Sequence, residues 1–238
     1  LKHVVISPGS RNAPLTIAFD ENPDIKTHVV VDERSAAYVA LGLGLETDVP
    51  AAVICTSGTA SINHGPAIAE AFHHRIPLIS ITADRPTSVI EKGHGQIVFQ
   101  EGLFGKNCKH SVVIDEVELS DEAIIAETAK AFNIASEGTS VHINVPFEEP
   151  LYGTTDFDNG LNLIESSNAS NKGLKIPEEL CEKGSRVLIV AGSLPFYKRK
   201  KNYTELPGIF EKFSGISGPS VVHSADLLLA KFENQLPE

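Results

Sequence analysis

Ala51-Ala52-Val53-Ile54-Cys55 is a continuous apolar run, and Thr56-Ser57-Gly58-Thr59 follows it directly. A short run of this kind, with β-branched residues, predicts a strand that is buried on both faces. A helical pattern from about Ala60 to His74 and a second apolar run, Leu78 to Ile81, complete a strand–helix–strand unit. Such a unit is typical of a parallel sheet that is covered by helices.

The same alternation extends in both directions from this unit. Towards the N-terminus, the pattern predicts strands at 3–6 and 27–31 and a helix from about 35 to 45. Towards the C-terminus, it predicts strands at 111–114 and 141–145, with a helix from about 121 to 137 between them. The expected fold class is therefore α/β, with a doubly wound parallel sheet.

The character of the sequence changes after this first domain, which we place at residues 1–153. Residues 154–180 are rich in Ser, Asn, Asp and Gly and have no periodicity, so we interpret them as a linker. A strand predicted at 186–191 then opens a second α/β unit, residues 181–238. Because this unit has room for few strands, we expect it to be part of a further α/β domain.

Composition narrows the range of partners and compartments. The chain has 238 residues, with 20 Lys and Arg against 31 Asp and Glu, for a net charge of −11. This acidic balance argues against nucleic acid as a partner, because phosphate binding needs a basic surface. The 3 cysteines are widely spaced, which favours a reducing compartment, and we expect a cytoplasmic protein. No apolar run approaches the roughly 20 residues of a membrane helix, and no signal peptide is visible.

Polar residues follow four of the predicted strands. They are Ser10 and Arg11, then Glu33, then Thr56, Ser57 and Gly58, and finally Arg85. The carboxyl ends of parallel strands meet at one edge of a sheet, where α/β proteins bind their ligands. We therefore expect these side chains to form one site.

Each of these residues has an ordinary interpretation beside the functional one. Glu33 follows an apolar strand, and burial there would raise the pKa of its carboxyl and suit it to proton exchange. In the ordinary interpretation, Glu33 is an acidic residue at the start of a helix, where its charge interacts favourably with the helix dipole. Arg11 and Arg85 are suited to grip a carboxylate, although a single arginine is more often part of a surface salt bridge. Two arginines at one sheet edge of an acidic protein favour a local anion site. Thr56-Ser57-Gly58-Thr59 either faces a ligand or is an ordinary turn into a helix.

Metal and dinucleotide motifs are absent from the sequence. Neither a His-Glu-x-x-His motif nor a cluster of His and Cys occurs, so we expect no metal ligands here. Gly93-His94-Gly95-Gln96 lies in a long connection, and such loops are often functional, but it has no third glycine at the dinucleotide spacing.

Several of these segments together resemble one enzyme family. They are Ile6-Ser7-Pro8-Gly9-Ser10-Arg11-Asn12-Ala13-Pro14-Leu15, Asp32-Glu33-Arg34-Ser35, Thr56-Ser57-Gly58-Thr59-Ala60, Thr82-Ala83-Asp84-Arg85-Pro86, Val141-His142-Ile143-Asn144-Val145-Pro146-Phe147 and Glu149-Pro150-Leu151-Tyr152-Gly153. The resemblance is to the 2-succinyl-5-enolpyruvyl-6-hydroxy-3-cyclohexene-1-carboxylate synthases, which are thiamine diphosphate enzymes of menaquinone biosynthesis. It is strong over about the first 153 residues and loose beyond them.

The resemblance implies a reaction and a set of roles. The family decarboxylates 2-oxoglutarate and adds the remaining four-carbon unit to isochorismate, with thiamine diphosphate and Mg²⁺ as cofactors. Glu33 matches the family glutamate that hydrogen-bonds the cofactor aminopyrimidine, and Thr56, Ser57 and Gly58 match positions that line the pyrimidine pocket. The positions that contact the substrates match Ser10, Arg11, Arg85 and Gln96.

One departure from the family limits what this chain would do alone. The family binds the diphosphate and Mg²⁺ through a second catalytic domain with a Gly-Asp-Gly motif, and no Gly-Asp-Gly occurs here. The chain also contains 0 Met and begins at Leu1, so we expect an N-terminal fragment that is inactive alone. The family site lies between subunits, which implies a homodimer or homotetramer. Two alternatives remain: another thiamine diphosphate enzyme, such as an acetolactate-synthase-like protein, and a non-catalytic anion-binding module.

Overall fold

The computed structural model describes residues 1–47, 49–92 and 95–151, together with five short strands between residues 189 and 223. The chain separates into two compact units, residues 1–166 and 167–238. The linker predicted at 154–180 lies outside the described residues, so the domain boundaries proposed above stay predictions.

The first unit is built on a six-stranded sheet. Its strands are β1 (His3–Ile6), β2 (Lys26–Val29), β3 (Ala51–Cys55), β4 (Leu78–Asp84), β5 (His110–Val113) and β6 (Ser140–Pro146). They lie in the order β2-β1-β3-β4-β6-β5, and every neighbouring pair is parallel. The parallel α/β sheet expected from the sequence is confirmed.

Helices cover both faces of this sheet. They are α1 (Ala13–Asp20), α2 (Glu33–Thr47), α3 (Thr59–Ile62), α4 (Gly65–His74) and α5 (Asp121–Ser136). Alanines of α2 and α4 pack with Val5 and Val53 on one face. On the other face, α1 and α5 pack against Val4 and Ile54. Alternate residues of one strand thus face opposite helical layers, which explains why β3 is apolar throughout.

The strand order reverses between β1 and β3, because the chain passes from β1 to β2 on one side and returns to β3 on the other. In open α/β sheets, this reversal opens a crevice at the carboxyl ends of the strands. Here the loops after β1 and β3 touch. A Cβ added to Gly9 would lie 2.5 Å from the Cβ of Thr56, so only glycine fits at that position.

The structure corrects four local predictions. Helix α1 was not predicted, because its eight residues carry only a brief apolar pattern. The helix expected from Ala60 to His74 is two helices, since Pro66 lies in the first turn of α4 and begins it anew. Strand β4 continues to Asp84, beyond the end predicted at Ile81. Strand β2 is an edge strand with exposed Lys26 and Val29, so the apolar strand expected before Glu33 is wrong.

The described residues of the second unit form two small parallel sheets. The strands are β7 (Ile189–Ala191), β8 (Asn202–Tyr203), β9 (Gly208–Phe210), β10 (Ile216–Ser217) and β11 (Val221–His223). One sheet has the order β11-β9-β7, and the other pairs β10 with β8. Across all the described residues, no helix is long and apolar enough to cross a membrane.

Candidate functional site

The loop after β1 is tied to both neighbouring strands. The Ser7 amide donates to the carbonyl of Ile54 at the end of β3, at 2.9 Å. The Ser7 hydroxyl donates to the carbonyl of Val30, just after β2, also at 2.9 Å. With the loop fixed in this way, Ser10 is exposed, whereas Arg11 is turned into the protein with a side chain only 6% exposed.

Arg11 and Arg85 converge on one carboxylate oxygen. Arg11 Nη1 donates to the carbonyl of Phe147 at 2.8 Å, and Arg11 Nη2 donates to Glu149 Oε1 at 2.5 Å. Arg85 Nη1 donates to the same Glu149 Oε1 at 3.2 Å. The two arginines come from different motifs, and the parallel sheet brings their guanidinium groups to one point at the ends of β1, β4 and β6.

The turn after β3 is in close contact with the loop that carries Gln96. Gly58 has φ 84° and ψ −143°, and a Cβ added there would lie 2.8 Å from the carbonyl oxygen of Gln96. The Gly58 amide donates to Gln100 Oε1 at 2.8 Å. The Ser57 side chain is buried, and its hydroxyl has no hydrogen-bond partner within the described part of the chain. The structure thus brings Gln96, Ser57 and Gly58 together.

A buried polar network connects this turn to β4 and β6. Gln100 Nε2 donates to Asn144 Oδ1 at 2.8 Å and to the carbonyl of Ala83 at 3.1 Å. Asn144 Nδ2 donates to Asp84 Oδ2 at 2.8 Å. Asp84 is fully buried, and this burial raises the pKa of its carboxyl, although the bond from Asn144 and the charge of Arg11 act in the opposite direction.

His142 extends the network on β6. Its Nε2 lies 2.8 Å from Thr82 Oγ1, and its Nδ1 lies 3.2 Å from Ser111 Oγ. Burial lowers the pKa of His142 to about 4, so the ring is neutral at pH 7. The Thr82 hydroxyl donates to Asn144 Oδ1 at 2.7 Å, so it accepts from His142 Nε2–H, and His142 Nδ1 accepts from Ser111.

Glu33 is the first residue of α2 and is half-buried. The capping role belongs to its neighbour, because Asp32 Oδ1 accepts from the Ser35 amide at 2.8 Å. The Glu33 carboxylate lies near the end of β3, where its charge adds to the effect of burial in raising the pKa of the Cys55 thiol. Within the residues that the structure describes, no hydrogen bond or ion pair engages this carboxylate. It is therefore available to a ligand.

The remaining predictions concern metals and the loop before Gln96. Among residues 1–47, 49–92 and 95–151 and the five short strands, no three His, Cys, Asp or Glu side chains come together as metal ligands. Gly93 and His94 lie outside the described residues.

Sequence reasoning missed Glu149, Gln100 and Asn144. Glu149 and Asn144 stand in segments that carry the family resemblance, and that placement was the available signal. Gln100 had no signal, because it is an isolated polar residue in an irregular connection.

Comparison with known proteins agrees with this geometry. Residues 1–103 match the family described as thiamine pyrophosphate enzyme, N-terminal TPP binding domain. A 2-succinyl-5-enolpyruvyl-6-hydroxy-3-cyclohexene-1-carboxylate synthase of Flavobacterium johnsoniae is 38% identical, over 98% of this chain and 44% of the relative. The synthase of Cytophaga hutchinsonii is 38% identical, over 95% and 43%. That of Desulfotalea psychrophila is 48% identical, over 64% and 29%.

The parallel sheet, the reversal of its strand order between β1 and β3, and the family match define the first unit as the N-terminal domain of a thiamine pyrophosphate enzyme. Within that class, the chain belongs to the 2-succinyl-5-enolpyruvyl-6-hydroxy-3-cyclohexene-1-carboxylate synthase family. It spans less than half the length of these relatives.

Proposed function

We propose that the complete protein is a thiamine diphosphate-dependent transferase of menaquinone biosynthesis. It decarboxylates 2-oxoglutarate and joins the remaining four-carbon unit to isochorismate, which gives 2-succinyl-5-enolpyruvyl-6-hydroxy-3-cyclohexene-1-carboxylate. In this proposal, the chain provides the pyrimidine-binding domain. The diphosphate and Mg²⁺ are bound by residues outside the described part of the chain, so the chain alone is inactive.

The residues around the end of β3 fit the aminopyrimidine ring of the cofactor. A flat heteroaromatic ring with ring nitrogens and an amino group needs an apolar surface and a few hydrogen-bonding groups. Among the residues that the structure describes, the Glu33 carboxylate and the buried Ser57 hydroxyl have no hydrogen-bond partner, and Gly58 adds no side chain to the turn. The Glu33 carboxyl group donates a hydrogen bond to a ring nitrogen and exchanges its proton with it. When bound, thiamine diphosphate supplies a nucleophilic carbanion and an electron sink.

One observation favours these particular substrates: the convergence of Arg11 and Arg85 on a single carboxylate oxygen. Both 2-oxoglutarate and isochorismate carry more than one carboxylate. Arginine presents N–H donors in a planar fork that matches a carboxylate, and two such forks at one point bind it strongly. Ser10 and Gln96 are exposed, and in this proposal they bind further polar atoms of the substrates.

Exposed apolar residues support assembly into a homodimer or homotetramer. Val31 is 82% exposed and lies two residues before Glu33, and Phe99 is 73% exposed and precedes Gln100. Large apolar side chains beside a binding site are typical of a surface that a further subunit or domain covers. We propose that a second copy of the protein covers these residues.

The experiment that tests the function is an assay of the complete protein. It is incubated with 2-oxoglutarate and isochorismate, with and without thiamine diphosphate and Mg²⁺, and the product is identified by mass spectrometry. We expect product only when both cofactors are present. Turnover of other 2-oxo acids without isochorismate would instead indicate another thiamine diphosphate enzyme. The absence of any turnover would favour a non-catalytic anion-binding module.

Glu33→Gln tests the proton-exchange role within the same assay. We expect kcat to fall by at least about 100-fold, as is usual when an acid–base group is lost. Glu46→Gln is the matched control, because Glu46 is an exposed residue of the same helix. A near-normal kcat for Glu33→Gln would contradict the role of Glu33.

A further inference from the structure

The anion site formed by Arg11 and Arg85 already holds a carboxylate of its own chain. Glu149 Oε1 accepts from both guanidinium groups, at 2.5 Å from Arg11 Nη2 and 3.2 Å from Arg85 Nη1. In the described structure, Glu149 makes these bonds through one oxygen only, and Arg85 Nε is buried without a hydrogen-bond partner. The internal carboxylate therefore leaves part of the donor capacity unused.

The charges of this cluster are balanced without any ligand. Two cations, Arg11 and Arg85, are matched by two carboxylates, Asp84 and Glu149. Asp84 lies close enough to Arg11 for the charges to interact, and it accepts from the Arg85 amide at 2.8 Å. A third carboxylate would make the cluster negative inside a protein whose net charge is already −11. An incoming carboxylate is therefore accommodated best by replacing one of the two present.

Only one of these carboxylates is free to leave. Asp84 is fully buried and held by Asn144 and the Arg85 amide, so its removal would leave buried donors unpaired. The Glu149 side chain is 61% exposed and has no described bond other than those to the two arginines. Rotation of its side chain places the carboxylate in water at little cost, since ion pairs with an exposed partner are weak.

We propose that Glu149 is a displaceable internal carboxylate that occupies the Arg11–Arg85 site until a substrate carboxylate replaces it. An incoming anion must therefore bind the two arginines better than the Glu149 carboxylate does. A single-atom anion such as chloride gains no more contacts than Glu149 Oε1 already makes. A free carboxylate can bring both of its oxygens, one to each guanidinium group, and so competes better. This proposal rests on the proposed function for the class of substrate, a small dicarboxylate.

The test measures binding of succinate, a four-carbon dicarboxylate, to the complete protein by isothermal titration calorimetry at low ionic strength. Glu149→Gln keeps an oxygen that can accept from both arginines but removes the competing charge. We expect Glu149→Gln to bind succinate about fivefold more tightly than the unmodified protein, which corresponds to about 1 kcal/mol, the upper end for a partly exposed ion pair. Chloride should inhibit this binding more strongly in the variant, because chloride no longer competes with the Glu149 carboxylate for the two arginines.

Glu148→Gln is the matched control, because it removes the same charge one residue away from an exposed side chain without a described ion pair. We expect its succinate affinity to stay within about twofold of the original, since exposed charges are largely screened. Equal tightening in both variants would show a general charge effect and overturn the proposal. So would succinate binding in Glu149→Gln that is unchanged or weaker.

Two further measurements keep the outcome clear. If Glu149→Gln does not fold, Glu149→Asp withdraws the carboxylate from the guanidinium groups with a shorter side chain and must also tighten binding. Succinate binding requires no turnover. A protein that binds succinate as expected but does not convert 2-oxoglutarate and isochorismate would contradict the proposed function and leave the role of Glu149 intact.

Discussion

Gly58→Ala is the substitution whose effect the structure defines most closely. Gly58 has φ 84° and ψ −143°, a backbone conformation that essentially only glycine adopts. A Cβ at this position would lie 2.8 Å from the carbonyl oxygen of Gln96 and 3.0 Å from its carbonyl carbon. Both contacts are with backbone atoms, so no side-chain rotation relieves them. Alanine therefore has to move the turn after β3, the loop at Gln96, or both.

The magnitude follows from these two effects. A non-glycine residue in a sparsely populated backbone region costs about 1–3 kcal/mol. Overpacking against backbone that must shift costs a further ~1–3 kcal/mol. We expect Gly58→Ala to lower the free energy of unfolding of the first unit by about 2–6 kcal/mol, a large part of the stability of a typical domain.

The assay is a urea titration at 25 °C followed by far-UV circular dichroism, with Gly42→Ala as the control. Gly42 lies inside α2, and no atom of the described residues lies within 4 Å of a Cβ added there, apart from its chain neighbours and the helix's own backbone. Alanine there should raise the free energy of unfolding by about 0.5–1 kcal/mol, because glycine weakens a helix interior. If Gly58→Ala cost less than about 0.5 kcal/mol, near the usual limit for neutral surface changes, the close approach of Gln96 to this turn would be refuted.

Two further predictions concern the buried polar groups. Asn144→Leu removes the acceptor of the Thr82 hydroxyl and of Gln100 Nε2 and the donor to Asp84 Oδ2, while Thr82 keeps its bond to His142 and Asp84 keeps its bond from the Arg85 amide. We expect the loss of these three buried bonds to cost about 3–5 kcal/mol in urea unfolding, against less than about 0.5 kcal/mol for the exposed control Asn63→Leu; equal effects would contradict the network. Burial lowers the pKa of His64 to about 3 and that of His142 to about 4. As the pH falls below about 6.5, the unfolded chain therefore takes up a proton on each ring before the folded chain does, and the free energy of unfolding decreases. Asp84, whose pKa is raised, acts in the opposite direction, and its stabilisation is lost as the pH rises. His64→Gln should therefore remove about 1.4 kcal/mol per pH unit from the slope of unfolding free energy between pH 6 and 4; an unchanged slope would show that His64 is not held neutral.

The sheet was predictable because its strands carry a local signal. All residues of β3 are buried between two helical layers, so each must be apolar, and the run from Ala51 to Cys55 shows this directly. The grouping of Arg11 and Arg85 was predictable for a related reason. In a parallel sheet all strands point the same way, so residues that follow different strands meet at one edge.

The buried network was not predictable, because its partners are distant in the chain. Gln100 bonds to residues 42 and 44 positions away, and Glu149 lies 138 positions from Arg11. A periodic pattern reports only which face of an element is apolar. Thr82 and Asp84 therefore lie beyond the strand predicted at Leu78 to Ile81, although the structure buries both in β4, where Asn144 bonds to each of them.

The polar groups near the strand ends divide into those that are hydrogen-bonded within the chain and those that are not. Thr82, Asp84 and Asn144 satisfy one another, so they hold the strand ends together and need no ligand. In the described part of the chain, Glu33, the Ser57 hydroxyl and Arg85 Nε have no hydrogen-bond partner, and all three belong to the predicted site. The buried atoms Asn12 Oδ1, His64 Nε2 and His110 Nε2 also have no hydrogen-bond partner there, and they belong to residues outside that prediction. Buried polar groups are rarely left unpaired in a folded protein, because each costs about 1–3 kcal/mol. A ligand that pairs Ser57 and Arg85 recovers this cost on binding. The pyrimidine-binding groups and the anion-binding groups are thus incomplete for the same physical reason, and we expect each to be completed by a bound molecule.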